Sequence, residues 1–201
     1  MQKQRRTDSS HEVAQAYTAI TGGKDPDRND ITCFTSYSEF KRPVMNAKIY
    51  KILAHQYIKA DISIWLDGNI FLLIPKEKLI KEFLGDADIA VFKHFERDCV
   101  YEEAEAAKGL GGDAFPYIEK HIEFYKSINY PKHAGLYECN MIIRRHSKQM
   151  EAFNNAWWSE ICRHSSRDQL SFPYVLDKFD LKLNAYEGNI RSHEYFRYEP
   201  H

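Results

Sequence analysis

The sequence predicts an α/β fold, a mostly parallel central sheet flanked by helices. Three observations carry this. Short β-branched or aromatic runs alternate with longer stretches whose apolar residues repeat at helical spacing. These runs interleave rather than segregate, the pattern of strands joined by crossover helices. The 201 residues are 43 % hydrophobic and 28 % charged, with no repeat and no Gly/Ser or Pro linker. One domain over residues 12–201 is therefore expected, after a polar, frayed terminus at 1–11.

The elements follow in order. Residues 13–20 read as a first strand and 31–35 as a second, separated by a turn cluster from Thr21 to Pro26. Residues 43–59 read as one helix. Pro43 suits a first helical position, and Ile49, Ile52, Leu53 and Tyr57 keep the apolar period. Its other stripe, Lys48, Lys51, His55 and Lys59, shares one face. Residues 61–66 form an apolar strand that stops abruptly at Asp67-Gly68-Asn69. An amphipathic helix over 75–84, a strand at 88–94, a helix at 116–128 and a strand at 135–143 come next. Ser147 caps a helix carrying Met150, Phe153, Trp157 and Ile161. A short helix from near Ser166 meets Pro173, which is expected to kink or end it. Residues 181–186 are a last strand.

Composition excludes several functions. Lys and Arg total 28 against 29 Asp and Glu, for a net charge of −1. There is no basic field for a nucleic-acid backbone, so no nucleic-acid partner is expected. No apolar run approaches the roughly 20 residues of a membrane span, and no apolar stretch follows the charged start, so no secretory signal is visible. Cys33, Cys99, Cys139 and Cys162 are far apart and make no C-x-x-C. That usage fits a reducing compartment, and a cytoplasmic location is expected. The 13 Tyr, 12 Phe and 3 Trp serve either core packing or the stacking of sugars and bases.

In a parallel sheet the ligand crevice lies beyond the carboxyl ends of the strands. That rule brings Thr21–Asp25, Asp67–Asn69 and His94–Arg97 to one rim. Asp67 and Asn69, two apart across a glycine, are oxygen ligands that suit Mg²⁺ or Mn²⁺ shared with a diphosphate, although the triplet also reads as a plain hairpin turn. The lysine stripe suits a diphosphate and equally a solvated helix face. Gly22-Gly23 suits a nucleotide against the backbone or a simple turn. Glu102, Glu103 and Glu105 are either polar site residues or the acidic first turn of a helix. Ser165 and Asp168 have capping-box spacing, so Asp168 is either a structural cap or a carboxylate aimed into the crevice beside Arg167. His193, in the aromatic tail, has an imidazole that would complete a metal shell.

Five stretches together resemble a known family. They are Tyr17-Thr18-Ala19-Ile20-Thr21-Gly22-Gly23, Ser63-Ile64-Trp65-Leu66-Asp67-Gly68-Asn69, Tyr101-Glu102-Glu103-Ala104-Glu105-Ala106, Glu138-Cys139-Asn140-Met141-Ile142-Ile143-Arg144-Arg145, and Trp157-Trp158 followed by Arg167-Asp168-Gln169-Leu170-Ser171-Phe172. The chain is similar, over about residues 14–190, to the glycosyltransferase-like domain of plant mucilage-related and turgor-regulation proteins, also found in bacteria. The resemblance implies a glycosyltransferase A-type fold, one Rossmann-like domain that binds a nucleotide sugar, usually with Mn²⁺ or Mg²⁺. Plant relatives are associated with pectic galacturonosyl transfer. Asp67-Gly68-Asn69 falls where such enzymes carry an Asp-x-Asp metal motif, and Asp168-Gln169 resembles the Asp-Gln near the reacting sugar of several retaining transferases. Asn69 in place of a second acid, Phe95 where a proline is expected after His94, and the want of a membrane anchor or stem depart from the family's pattern.

On this basis the expected activity is metal-assisted, retaining transfer from a UDP-sugar to a glycan acceptor in polysaccharide or surface-glycan synthesis. Asp168 and Gln169 would be catalytic. Thr18, Ala19, Thr21, Gly23, Lys48, Lys51, His55, Asp67 and Gly68 would bind the donor. His94, Arg97, Glu102, Glu138, Asn140 and Arg167 would bind sugar or acceptor hydroxyls, and Asp67, Asn69 and His193 would hold the metal. Two other classes stand beside it. A non-catalytic nucleotide-sugar or glycan-binding module is favoured by Asn69. A metal-assisted hydrolase is suggested by a ceramidase description attached to a family member, against the absence of a G-x-S-x-G elbow.

Overall fold

The computed structural model describes residues 13–22, 26–108 and 115–200. The terminus at 1–11 and Gly23 lie outside them. Strands β1 (Ala14–Ala19), β2 (Thr32–Phe34), β3 (Ile62–Leu66), β5 (Ile89–Lys93), β6 (Tyr137–Arg145) and β7 (Leu183–Tyr186) form a six-stranded sheet in the order β2-β1-β3-β6-β5-β7. All neighbours are parallel except β6, which runs antiparallel to both β3 and β5. Two short strands, β4 (Ile70–Leu72) and β8 (Phe196–Tyr198), pair antiparallel as a separate ribbon.

The reversal of β6 shapes the functional rim. Its first residues lie beside the carboxyl end of β3, with Leu66 opposite Met141 and the Asp67 amide donating to the Asn140 carbonyl at 2.8 Å. The register with β5 slips between Ala90 and Phe92, a bulge where β6 passes the rim. Glu138, Cys139 and Asn140 thereby join the ends of β1, β3 and β5.

Helices α1 (Pro43–Ile52), α2 (Ala54–Tyr57), α6 (Lys148–Arg163) and α7 (Asp168–Leu176) bury one face of the sheet around Tyr17, Trp65, Val91, Ile142, Trp157 and Phe172. Helix α3 (Lys76–Leu79), a π-turn over Ile80–Leu84 and the β4–β8 ribbon cover the other face, around Ile64, Leu66, Phe92 and Ile143. Every residue of β3 is buried, as a central strand covered on both faces requires. Helices α4 (Val100–Lys108) and α5 (Phe115–Ser127) pack together against Leu136 and Leu170. Among the described residues no helix is long and apolar enough to cross a membrane.

Three local expectations need correction. The helix expected over 43–59 breaks at Leu53. The buried Arg144 guanidinium donates to the carbonyls of Lys51 and Ile52, diverting acceptors that a continuous helix would use. Pro173 does not end α7, which runs on to Leu176. Ser165 and Asp168 make no capping box. Arg167 occupies the cap position without a side-chain bond, and the Ser165 hydroxyl pairs with His121 Nδ1 at 3.1 Å. Ser147, by contrast, accepts from the Met150 amide as its capping role requires.

Candidate active site

A cavity of about 630 Å³ opens at the carboxyl rim. Helix α1 supplies Lys48 and Lys51 to it, the turn after β3 supplies Asp67, and the start of α7 supplies Asp168. The Asp67 carbonyl accepts from the Ile70 amide at 2.9 Å, so Asp67–Ile70 is also the tight turn its composition suggests. Lys51 Nζ lies 2.7 Å from Asp168 Oδ2 and 3.0 Å from Asp67 Oδ1. Lys48 Nζ lies 2.8 Å from the same Asp168 oxygen. Trp65 Nε1 donates to Asp67 Oδ1 at 2.7 Å, and the Gln169 amide donates to Asp168 Oδ1 at 3.1 Å.

The charges of Lys48, Lys51 and Asp168 are perturbed by this arrangement. Burial alone would raise the Asp168 carboxyl, but the Lys48 and Lys51 ammoniums hold it well below the usual carboxylate range. Burial works against the Lys51 ammonium too, yet Asp168 and Asp67 outweigh it and its pKa is raised. Lys48 shares only Asp168, so burial prevails and its pKa is lowered. Of the two, Lys48 is the less firmly charged.

The opposite wall is a second network. Buried Glu138 accepts from Arg191 Nη1 at 3.0 and 3.2 Å and from Asn140 Nδ2 at 2.6 Å. This last bond orients the Asn140 amide and leaves its buried Oδ1 with no hydrogen-bond partner among the described residues. Buried Glu103, behind the wall, takes Arg167 on one oxygen and Arg97 on the other. His94 Nε2 sits 3.5 Å from Glu103, and burial lowers the His94 pKa. The thiol of Cys139 also borders the cavity, and burial raises its pKa well above 9.0, which keeps it protonated.

Ala19, Lys48, Lys51, Asp67, Gly68, Asn69, His94, Arg97, Glu138, Asn140, Arg167, Asp168 and Gln169 all line this cavity. Among the described residues, the other expected ones do not. Thr18 is buried in β1. Thr21 donates its hydroxyl to the Pro43 carbonyl. The break at Leu53 takes His55 off the lysine face and pairs it with Asn154 of α6 at 3.2 Å. Glu102 borders a neighbouring cavity of about 420 Å³ that shares His94, Glu96 and Arg97 with the first. His193 packs edge-on against Phe83, Phe92 and Phe196, and its Nδ1 accepts from the Tyr195 amide. Trp65 and Arg191 were not anticipated, because a tryptophan inside an apolar strand reads as core and an arginine in a polar tail reads as surface. Glu103 reads equally as a polar site residue and as a helix first turn, and the structure makes it both.

The expected metal ligands fit a resident divalent cation poorly. Asp67 Oδ1 already takes two donors, Asn69 is neutral, and His193 is elsewhere. Lysines Lys48 and Lys51 with Arg97, Arg167 and Arg191 outnumber Asp67, Glu96, Glu138 and Asp168 around the cavity. Among the described residues, the group of three side chains spaced to hold a metal is Cys99, Glu102 and His133, at the neighbouring cavity.

The sequence profile of the TOD1/MUCI70 glycosyltransferase-like domain matches residues 32–196. The chain is 32 % identical over 159 residues to the probable hexosyltransferase MUCI70 of Arabidopsis thaliana, covering 74 % of this chain and 27 % of that protein. It is 29 % identical over 165 residues to the alkaline ceramidase TOD1 of the same plant, covering 75 % of this chain and 36 % of that one. The chain thus spans about a third or less of the length of either relative. A match that runs from β2 to β8 takes in the whole rim from Lys48 to Arg191, and on it the chain belongs to the TOD1/MUCI70 glycosyltransferase-like domain family.

Proposed function

We propose that this chain is a glycosyltransferase of the A type that moves a hexosyl or uronosyl group from a nucleotide sugar, a UDP-sugar in the first instance, to a glycan acceptor. The observation that carries this is the pair of ammoniums gathered on Asp168 at the carboxyl rim of the sheet. A leaving diphosphate gains charge as its bond to the sugar breaks, and fixed cations in a half-closed cavity are suited to stabilise it. The buried Asn140 oxygen and the Glu138 carboxylate suit sugar hydroxyls, which need acceptors as well as donors. The probable hexosyltransferase among the relatives supports the same class.

In the proposed reaction an acceptor hydroxyl oxygen attacks the anomeric carbon. The bond from that carbon to the phosphate oxygen breaks, and its electron pair leaves with the diphosphate. Asp168 is held too acidic to take a proton near neutral pH, so it acts as a fixed negative charge beside the developing oxocarbenium. The hydroxyl proton passes instead to the leaving diphosphate, an arrangement compatible with retention. Gln169 and Arg167 would orient the sugar, and His94 and Arg97 the acceptor, which the neighbouring cavity would extend. The four free cysteines suit a reducing, cytoplasmic setting.

The alkaline ceramidase among the relatives gives a hydrolase reading a specific basis. The charged lining of the cavity favours a polar, anionic substrate over a lipid. Thermal unfolding with UDP, GDP and CMP and their sugars tests the choice. A ligand at 100 times its dissociation constant stabilises by about 2.7 kcal/mol. Stabilisation by one nucleotide and its sugar is expected. If a folded sample responds to none of them, the transferase reading is lost.

A further inference from the structure

The countercharge for a bound diphosphate is already built into this cavity, an inference that rests on the nucleotide-sugar reading above. We propose that the cavity binds its donor's diphosphate without a divalent cation, the ammoniums of Lys48 and Lys51 supplying the positive charge.

Three observations support this. Each acidic side chain that would recruit a cation is already paired with an ammonium, Asp67 with Lys51 and Asp168 with both lysines. A dication on either of those paired oxygens would sit against an ammonium in a poorly solvated place, where like charges repel strongly. The second oxygen of the Asp67 turn comes from Asn69, a neutral amide, whereas hard divalent ions are held chiefly by carboxylates and phosphates. Finally, the two lysine side chains are only 12 % and 6 % exposed, so their charge is little screened.

The lysines also divide the work. Lys51 is fixed between two carboxylates, whereas Lys48 has one, which it shares. Lys48 can therefore turn from Asp168 to a phosphate oxygen while Lys51 still holds the Asp168 carboxylate in place. As the sugar–phosphate bond breaks, the added negative charge falls on a group already facing Lys48.

Calorimetric titration of the full chain with UDP, once with EDTA and once with Mn²⁺, tests the proposal. The same dissociation constant is expected in both. Lys48→Gln should weaken UDP roughly 10- to 100-fold in either buffer, the loss of one charge-assisted hydrogen bond, and Mn²⁺ should not restore it. Lys48→Arg, which keeps the charge, should bind without metal and guards against a glutamine variant that fails to fold. If UDP binds only with Mn²⁺, the proposal is overturned and the transferase reading stands. If UDP, and GDP and CMP titrated in the same way, all fail to bind in either buffer, the nucleotide-sugar reading falls and takes this proposal with it.

Discussion

Glu103 holds Arg167 from behind the cavity wall: Oε1 accepts from Nη2 at 2.6 Å and from Nε at 3.2 Å. Its other oxygen accepts from Arg97 Nε at 3.0 Å. The carboxylate is fully buried on α4, while the arginines stand just before α7 and just after β5, and both face the cavity. One buried charge thus aligns two cationic donors from separate segments.

Glu103→Gln keeps the volume and removes the charge. Three charge-assisted bonds from two arginines weaken, and a loss of about 1–3 kcal/mol in urea unfolding is expected. The same variant should raise KM for transfer more than it lowers kcat, because both arginines lose their alignment while Asp168 keeps its lysines. Unchanged stability together with unchanged KM would remove Glu103 from this positioning role.

Arg144 is the counterpart beneath α1. Fully buried, it donates to the Lys51 and Ile52 carbonyls, to Asn154 Oδ1 at 2.9 Å and to the Tyr17 hydroxyl at 3.1 Å. It caps the helix that carries both site lysines. Lysine in its place has one nitrogen for four acceptors. Arg144→Lys should cost about 2–4 kcal/mol in denaturant unfolding. It should also weaken UDP binding, although Arg144 itself does not line the cavity. A variant as stable as the parent would show that the carbonyls find other donors.

Arg144 also marks what the sequence could reveal. The main strands were legible from their β-branched and aromatic runs, and the start of α1 from Pro43. The break at Leu53 was not, because its cause is a guanidinium 92 residues away in sequence from the Ile52 carbonyl. The strands β4 and β8, three residues each, are too short to carry a period. In the site, Lys48 and Lys51 were legible as a helical stripe, and Asp67 as the end of an apolar strand. Glu138 and Asn140 drew notice through the family resemblance, but their place at the rim depends on β6 running backwards, which strand composition does not reveal. Arg191 was hidden by the reasonable presumption that charge means surface, and Glu103 was visible only as one of three acids that also suit a helix first turn.

His146 predicts an acid sensitivity. Burial, then Arg144 and His55, push its pKa down to about 4 from 6.5, and its Nε2 lies 2.9 Å from Ser63 Oγ. Between those values the unfolded chain binds a proton that the folded chain refuses, so stability falls as pH drops from about 6.5 toward 4 and is unaffected above. His55, His94 and His164 are also lowered and add to this slope. His146→Gln can keep a hydrogen bond to Ser63 and cannot titrate. Urea midpoints across this window should fall less steeply in the variant than in the parent, and equal slopes would acquit His146.

Lys48 sets the alkaline limit. Burial lowers its pKa below 10.5, and the Asp168 carboxylate only partly compensates. If its ammonium meets the donor's diphosphate, the protonated form is the one that binds. Affinity for UDP should then decline as pH rises through the lowered Lys48 pKa, before ordinary lysines lose their charge. The uracil ring also titrates in alkali, so the parent must be compared with Lys48→Arg, whose guanidinium keeps its proton. Both proteins share the uracil effect, and only the parent should show the earlier decline. Calorimetric dissociation constants measured over the alkaline range decide it. Coincident profiles would mean that Lys48 either stays charged throughout or does not touch the diphosphate.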